Sequence, residues 1–99
     1  MAGAVLVICN GEFEGMTYAI RSEETIIGRN PTTDVTLLDE NISREHALVL
    51  FDPESDSYTV EDLQSTNGTK VNGKGVRSQK LSPGDEIQIG HTVFRFERR

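Results

Sequence analysis

Leu81-Ser82-Pro83-Gly84-Asp85-Glu86-Ile87-Gln88-Ile89-Gly90-His91-Thr92-Val93-Phe94-Arg95-Phe96 is the stretch whose reading decides the fold. Pro83-Gly84 fits the two central places of a type II turn, where proline presets φ and glycine supplies a positive φ. Ile87 and Ile89 then alternate with polar residues, the period of a half-buried strand. Gly90-His91 fits a two-residue hairpin loop. Val93–Phe96 returns with the aromatic and β-branched residues that strands favour. A turn, a strand, a tight turn and a second strand predict antiparallel sheet.

The same pattern extends outward in both directions. Ala4–Cys9 is a continuous apolar run, which predicts a buried strand. Asn10-Gly11 and Gly15 mark turns after it. Met16–Ile20 and Thr25–Ile27 are short β-like pieces split by the polar Arg21–Glu24, and Val35–Leu38 is another. Ala47–Phe51 is apolar until Asp52-Pro53 stops it, and Tyr58 and Val60 alternate with Thr59 and Glu61. Asn72-Gly73 is a tight-turn signal. The nearest candidate for a helix is Ser43–Phe51, but its apolar part is continuous rather than 3.6-periodic, so its second half reads as strand. Short strands separated by turns predict an all-β fold, an antiparallel β-sandwich of two twisted sheets. Functional residues then fall in loops at one end.

With 99 residues, the chain is expected to form one domain over 1–99 with one modest core. Ten Lys and Arg stand against 16 Asp and Glu, a net charge of −6. That excludes nucleic acid as the main partner, because duplex binding needs many phosphates neutralised by cations. It leaves room for one phosphate at one local cluster. Cys9 is the single cysteine, so no disulfide forms within the chain, which fits a reducing, cytoplasmic setting. The Ala4–Cys9 run is too short for a membrane helix and lacks the basic flank of a signal peptide.

Three short motifs carry chemistry: Gly28-Arg29, Ser43-Arg44-Glu45-His46, and Ser65-Thr66-Asn67-Gly68-Thr69. Arg29 follows an apolar strand, with Gly28 freeing the backbone to turn. A planar guanidinium donates two parallel hydrogen bonds to one phosphate, which a lysine does not match. Ser43 offers a hydroxyl, and Arg44 a second positive charge. His46 has two ring nitrogens able to fasten neighbouring loops. Thr66 offers another hydroxyl, and Ser65 either a hydroxyl or a turn bond. The Asn67 amide both donates and accepts, which matches a peptide main chain. Together these are the groups needed to hold a phosphorylated side chain and the backbone beside it.

In order and spacing these motifs resemble the forkhead-associated (FHA) domain family, over about residues 26–96. Asp34-Val35, Asp62, Asn72-Gly73 and Leu81-x-x-Gly84-Asp85 add to the resemblance. It implies an FHA/SMAD-like sandwich that binds phosphothreonine peptides. It implies that Arg29, Ser43, Arg44, Ser65, Thr66 and Asn67 bind the phosphopeptide, while Gly28, His46, Gly68 and Asn72 support the site. The partner implied is a threonine-phosphorylated Ser/Thr kinase or kinase substrate, or a phosphothreonine elsewhere on the same polypeptide. No cofactor, metal, nucleic acid or membrane is expected. Asp39 and Glu40 in the loop before Ser43 are expected to disfavour acidic ligand residues.

Three other readings compete. Gly68–Lys74 fits the first seven places of a P-loop, but Gly75 stands where Ser or Thr should hold Mg²⁺ and no helix is expected to follow. Ser43 and His46 suggest a nucleophile and base, yet three residues apart they meet on a helix and not on a strand. Cys9, His46 and His91 lack metal-ligand spacing. The remaining alternative is an interaction module on the same fold that does not use phosphate. The expectation is a docking module and not an enzyme.

Overall fold

A computed structural model describes residues 3–99. The strands are β1 (Ala4–Ile8), β2 (Thr17–Ile20), β3 (Glu24–Gly28), β4 (Val35–Thr36), β5 (Ala47–Asp52), β6 (Ser57–Asp62), β7 (Thr69–Val71), β8 (Lys74–Val76), β9 (Ser78–Lys80), β10 (Glu86–Ile89) and β11 (Thr92–Arg98). Two sheets face each other. One runs β2-β1-β11-β10-β7-β8 and the other β4-β3-β5-β6-β9. Among the described residues there is no helix, and therefore none long and apolar enough to cross a membrane.

Alternation builds the core. Along β5, Ala47 and Val49 are buried while Leu48 and Leu50 are half-exposed, and along β6, Tyr58 and Val60 point inward. Their partners from the facing sheet are Leu6, Ile8, Ile87, Ile89, Phe94 and Phe96, all buried. Burying such side chains contributes about 1.5–3 kcal/mol each, which is what holds the sheets together. At one end Tyr58 stacks between Phe51 and Phe96, with ring centroids 4.7 and 5.2 Å away, and Arg98 lies over the Tyr58 ring.

The hairpins form where the turn chemistry indicates. Asn72 and Gly73 both have positive φ (52° and 84°), as a type I′ turn requires. Gly84 has φ 93°, and Asp85 N–H closes the turn onto Ser82 O at 3.0 Å. Gly90, at φ 60°, takes the first central place between Ile89 and Thr92. The stretch Gly68–Gly75 is thus part of the β7–β8 hairpin, both strands and the turn between them, and not a phosphate loop before a helix.

Two features depart from the sequence reading. β4 runs parallel to β3, whereas every other pairing is antiparallel. It is only two residues long, and Asp34 Oδ2 substitutes for a longer partner by accepting Ile26 N–H at 2.8 Å. β9 is an edge strand with three exposed polar residues, so it shows no hydrophobic pattern. Its pairing with β6 defines it instead.

The register sets two poles. Gly28, Ala47, Asp62, Thr69 and Gly90 lie toward one pole, and Asp52, Ser57, Asn72 and Glu86 toward the other. At the second pole Gly3, the first described residue, and Arg99 exchange backbone hydrogen bonds.

Candidate functional site

Three loops converge at the first pole: 29–34, 37–46 and 63–68. The first two are zipped backbone to backbone. Arg29 N–H donates to Ser43 O at 3.0 Å, and Asn30 N–H donates to Arg44 O at 3.1 Å. This approach explains Gly28. A Cβ built there would lie 2.0 Å from the Arg44 carbonyl oxygen. Gly28 does not have positive φ, so it serves close contact and not the turn freedom expected from sequence.

Arg29 Nε–H donates to Ile42 O at 3.0 Å, which orients the guanidinium. The two terminal nitrogens have no partner within the chain among the described residues. Their four N–H groups are free for an external acceptor. Arg29 and Arg44, both exposed, border one hollow of about 250 Å³ with Asn30 and Pro31.

Ser43 faces the third loop. Its Oγ accepts Thr66 N–H at 3.1 Å, so the hydroxyl proton remains available to a ligand. Asn67 Nδ2 donates to Asn41 O at 2.9 Å, leaving Oδ1 and one amide proton unused. The segment 41–44 and the pair Thr66-Asn67 are thereby held edge to edge.

His46 clamps this arrangement from behind. It is fully buried. Ser43 N–H donates to Nδ1 at 3.1 Å, and Nε2 lies 2.8 Å from Gly68 O. A carbonyl accepts only, so Nε2 carries the proton and the ring is the neutral Nε2–H tautomer. His46 therefore binds the Ser43 backbone and not its hydroxyl, and both ring nitrogens are occupied. That geometry removes the nucleophile–base reading.

Ser65 takes the turn-bond role. Its Oγ donates to Asp62 Oδ1 at 2.5 Å and accepts Gly68 N–H at 2.9 Å. Its own N–H donates to Asp62 Oδ2 at 3.1 Å, and the buried Thr69 hydroxyl donates to Asp62 Oδ1 at 2.8 Å. Burial works against charge on Asp62, but these three hydrogen bonds outweigh it and hold its carboxyl below the usual aspartate range. Asp62 and Thr69 therefore shape the loop that presents Thr66 and Asn67. Sequence spacing marked Asp62 only as part of a resemblance, and quoted Thr69 as the end of a motif without giving it a role.

Asn72 does not join the site. It lies at the opposite pole, donating to Asp85 Oδ1 and accepting Glu86 N–H, both at 3.0 Å. The reason is the length of β7, which separates the turn from the binding loop. Among the described residues no group of His, Cys, Asp or Glu is arranged to hold a metal ion.

Fold and loops together define a β-sandwich whose loops at one pole hold Arg29, Ser43, Thr66 and Asn67 in place by hydrogen bonds. The FHA domain profile matches residues 25–90, and the chain belongs to that family. The oxoglutarate dehydrogenase inhibitor of Corynebacterium jeikeium is 44% identical over 87 residues, 88% of this chain and 59% of that protein. The chain thus spans under two thirds of that relative. A structure solved in a study of phosphothreonine-dependent FHA domain interactions superposes with a TM-score of 0.86 at 34% identity, covering 96% of this chain and 95% of that one. EmbR of Mycobacterium tuberculosis, solved with a low-affinity phosphopeptide, gives 0.88 at 32% identity, covering 98% of this chain and 24% of that one.

Proposed function

We propose that the chain docks to proteins phosphorylated on threonine and performs no covalent step. One observation carries the reading: Arg29, Ser43, Thr66 and Asn67 border the same pole and are tied together by short hydrogen bonds before any ligand arrives. In this reading Arg29 and Arg44 take the phosphate charge and Ser43 and Thr66 donate hydroxyls. Asn67 offers its unused Oδ1 and remaining amide proton to the ligand main chain. Preorganisation favours affinity, because no loop has to be ordered on binding. Gly28, His46, Ser65 and Gly68 hold the loops. The partner is a Ser/Thr kinase, a kinase substrate, or a phosphothreonine on the same polypeptide, met in the cytoplasm.

Calorimetry with matched phosphothreonine, phosphoserine and unmodified peptides tests this. The unmodified peptide should not bind measurably. Phosphoserine should bind about fourfold more weakly, the value of one buried methyl at about 0.8 kcal/mol. Equal binding of all three removes the reading.

A phosphate-independent contact surface is the second reading. It draws on Phe13, Met16 and Leu38, which are 57%, 45% and 90% exposed around a hollow of about 230 Å³. Partner capture that survives phosphatase treatment and the Arg29→Ala change favours it.

A further inference from the structure

Phe13, Met16 and Leu38 are the large apolar side chains left exposed among the described residues, and they meet at one place. The hollow between them is also lined by Tyr18 of β2 and Thr36 of β4, the outermost strands of the two sheets on that side. A gathered apolar cluster on a water-facing edge marks a contact surface. Its surroundings carry one sign of charge. Residues 10–20 and 30–43, which build this edge, include Glu12, Glu14, Asp34, Asp39 and Glu40 and no lysine or arginine.

The opposite edge of the sandwich has the reverse charge. There β8 and β9 are the outermost strands, joined by Arg77 alone. Residues 69–81 include Lys70, Lys74, Arg77 and Lys80 and no carboxylate. All four are exposed, and none forms an ion pair among the described residues. Val76 lies half-buried between Lys74 and Arg77. Like charges keep two basic edges apart, and two acidic edges equally. They do not keep a basic edge from an acidic one.

Strand direction and level match as well. In the six-stranded sheet every neighbouring pair is antiparallel, so its two outermost strands, β2 and β8, run in opposite directions. A β8 laid beside the β2 of a second copy therefore continues the antiparallel alternation. β2 begins and β8 ends toward the first pole, through the pairs Val7–Thr17 and Thr69–Val76. A sideways shift of one copy thus brings Val76-Arg77 level with Phe13 and Met16.

We propose that the β2/β4 edge of one copy takes the β8/β9 edge of the next. In this head-to-tail contact the Phe13–Met16–Leu38 cluster packs against Val76, and the carboxylates face Lys74, Arg77 and Lys80. Because the two surfaces differ, the contact does not close as a two-fold dimer does, and each added copy leaves another edge open. The contact rests on the apolar surface of the second reading above and needs no phosphate.

Sedimentation equilibrium of the full chain, treated with phosphatase, should show an average mass that climbs with concentration and does not level off at a dimer, with a dissociation constant of about 1 mM or below per step. Amide signals in nuclear magnetic resonance should shift with concentration at 12–17 and 37–40 and also at 74–80. The paired changes Glu12→Lys with Glu14→Lys, and Lys74→Glu with Arg77→Glu, should each weaken association about fivefold or more, the scale of exposed charge pairs turned from attraction to repulsion. A mixture of the two variants should recover it, because each then meets an edge of opposite charge. Leu38→Ser, at an exposed position, should weaken association without altering charge. A parent that stays monomeric to about 1 mM, shifts confined to one edge, variants that associate as the parent does, or a mixture that fails to recover overturns the inference. None of these results bears on the phosphopeptide calorimetry, which tests the loop site separately.

Discussion

His46→Ala tests the clamp most directly. The ring joins the Ser43 backbone to Gly68 through one accepted and one donated hydrogen bond, and it is fully buried. Truncation leaves the Ser43 N–H without its acceptor, at about 1–3 kcal/mol for an unsatisfied buried donor. Gly68 is exposed, so water can replace the lost donor to its carbonyl. Removing the buried ring adds a cavity term. The combined loss is about 2–4 kcal/mol, or roughly 10–20 °C in melting temperature for a domain of this size. Thermal and urea unfolding followed by circular dichroism measure it. Phosphopeptide affinity should fall as well, because 41–44 and 66–68 lose their common strut. His46→Asn retains an acceptor near Nδ1, and His46→Gln retains a donor near Nε2, so each should recover part of the loss. A His46→Ala protein that melts within about 2 °C of the parent and binds as tightly refutes the clamp.

Arg29→Ala should lower phosphopeptide affinity roughly 10- to 150-fold, the equivalent of about 1.5–3 kcal/mol for a charge-assisted bond, in calorimetry. Its melting temperature should stay within about 3 °C, since Arg29 is exposed. Gly28→Ala forces β3 away from Arg44 and should destabilise the fold by about 1–3 kcal/mol, read as a lower urea midpoint at unchanged slope; an unaltered midpoint contradicts the close approach. Hydrogen bonds keep the Asp62 carboxyl below its usual range, so the unfolded chain binds its proton first as pH falls. The stability contributed by Asp62 should therefore be complete above about pH 4 and be lost as pH falls through the folded value, with Asp62→Asn flattening the profile of urea midpoints. Phosphopeptide affinity should weaken between pH 7 and pH 5, as the phosphate gains its second proton near about pH 6; a flat calorimetric profile there counts against dianion recognition.

Much of this fold is legible because its turns carry their own chemistry. Asn72-Gly73, Pro83-Gly84 and Gly90-His91 each demand a positive φ that glycine or asparagine accepts, and inward-facing residues such as Ile87, Ile89 and Phe94 report their own burial. Ser78–Lys80 is illegible for the opposite reason. An exposed edge strand buries nothing, so only its backbone partner on β6 reveals it. The left-handed turns at Asp56 and Gln64 lack a glycine to announce them. At the site, Gly28-Arg29, Ser43, His46 and Thr66-Asn67 stand out as residue types with a recognisable spacing. Contacts between distant segments do not. Nothing in the order of residues says that Asp39 folds back onto the His91 amide, or that Arg44 crowds Gly28.

The backbone pairing of Gly3 with Arg99 bears on any tethered ligand. Both residues lie at the pole away from the Arg29–Asn67 loops, on a molecule whose extents are 35 × 27 × 27 Å, so 35 Å is the largest span to be crossed. A segment leaving either end needs about ten extended residues to reach back across that length. A threonine nearer than that is sterically barred from its own domain and is available only to a neighbouring copy, whereas one on a longer leash can close the site on itself.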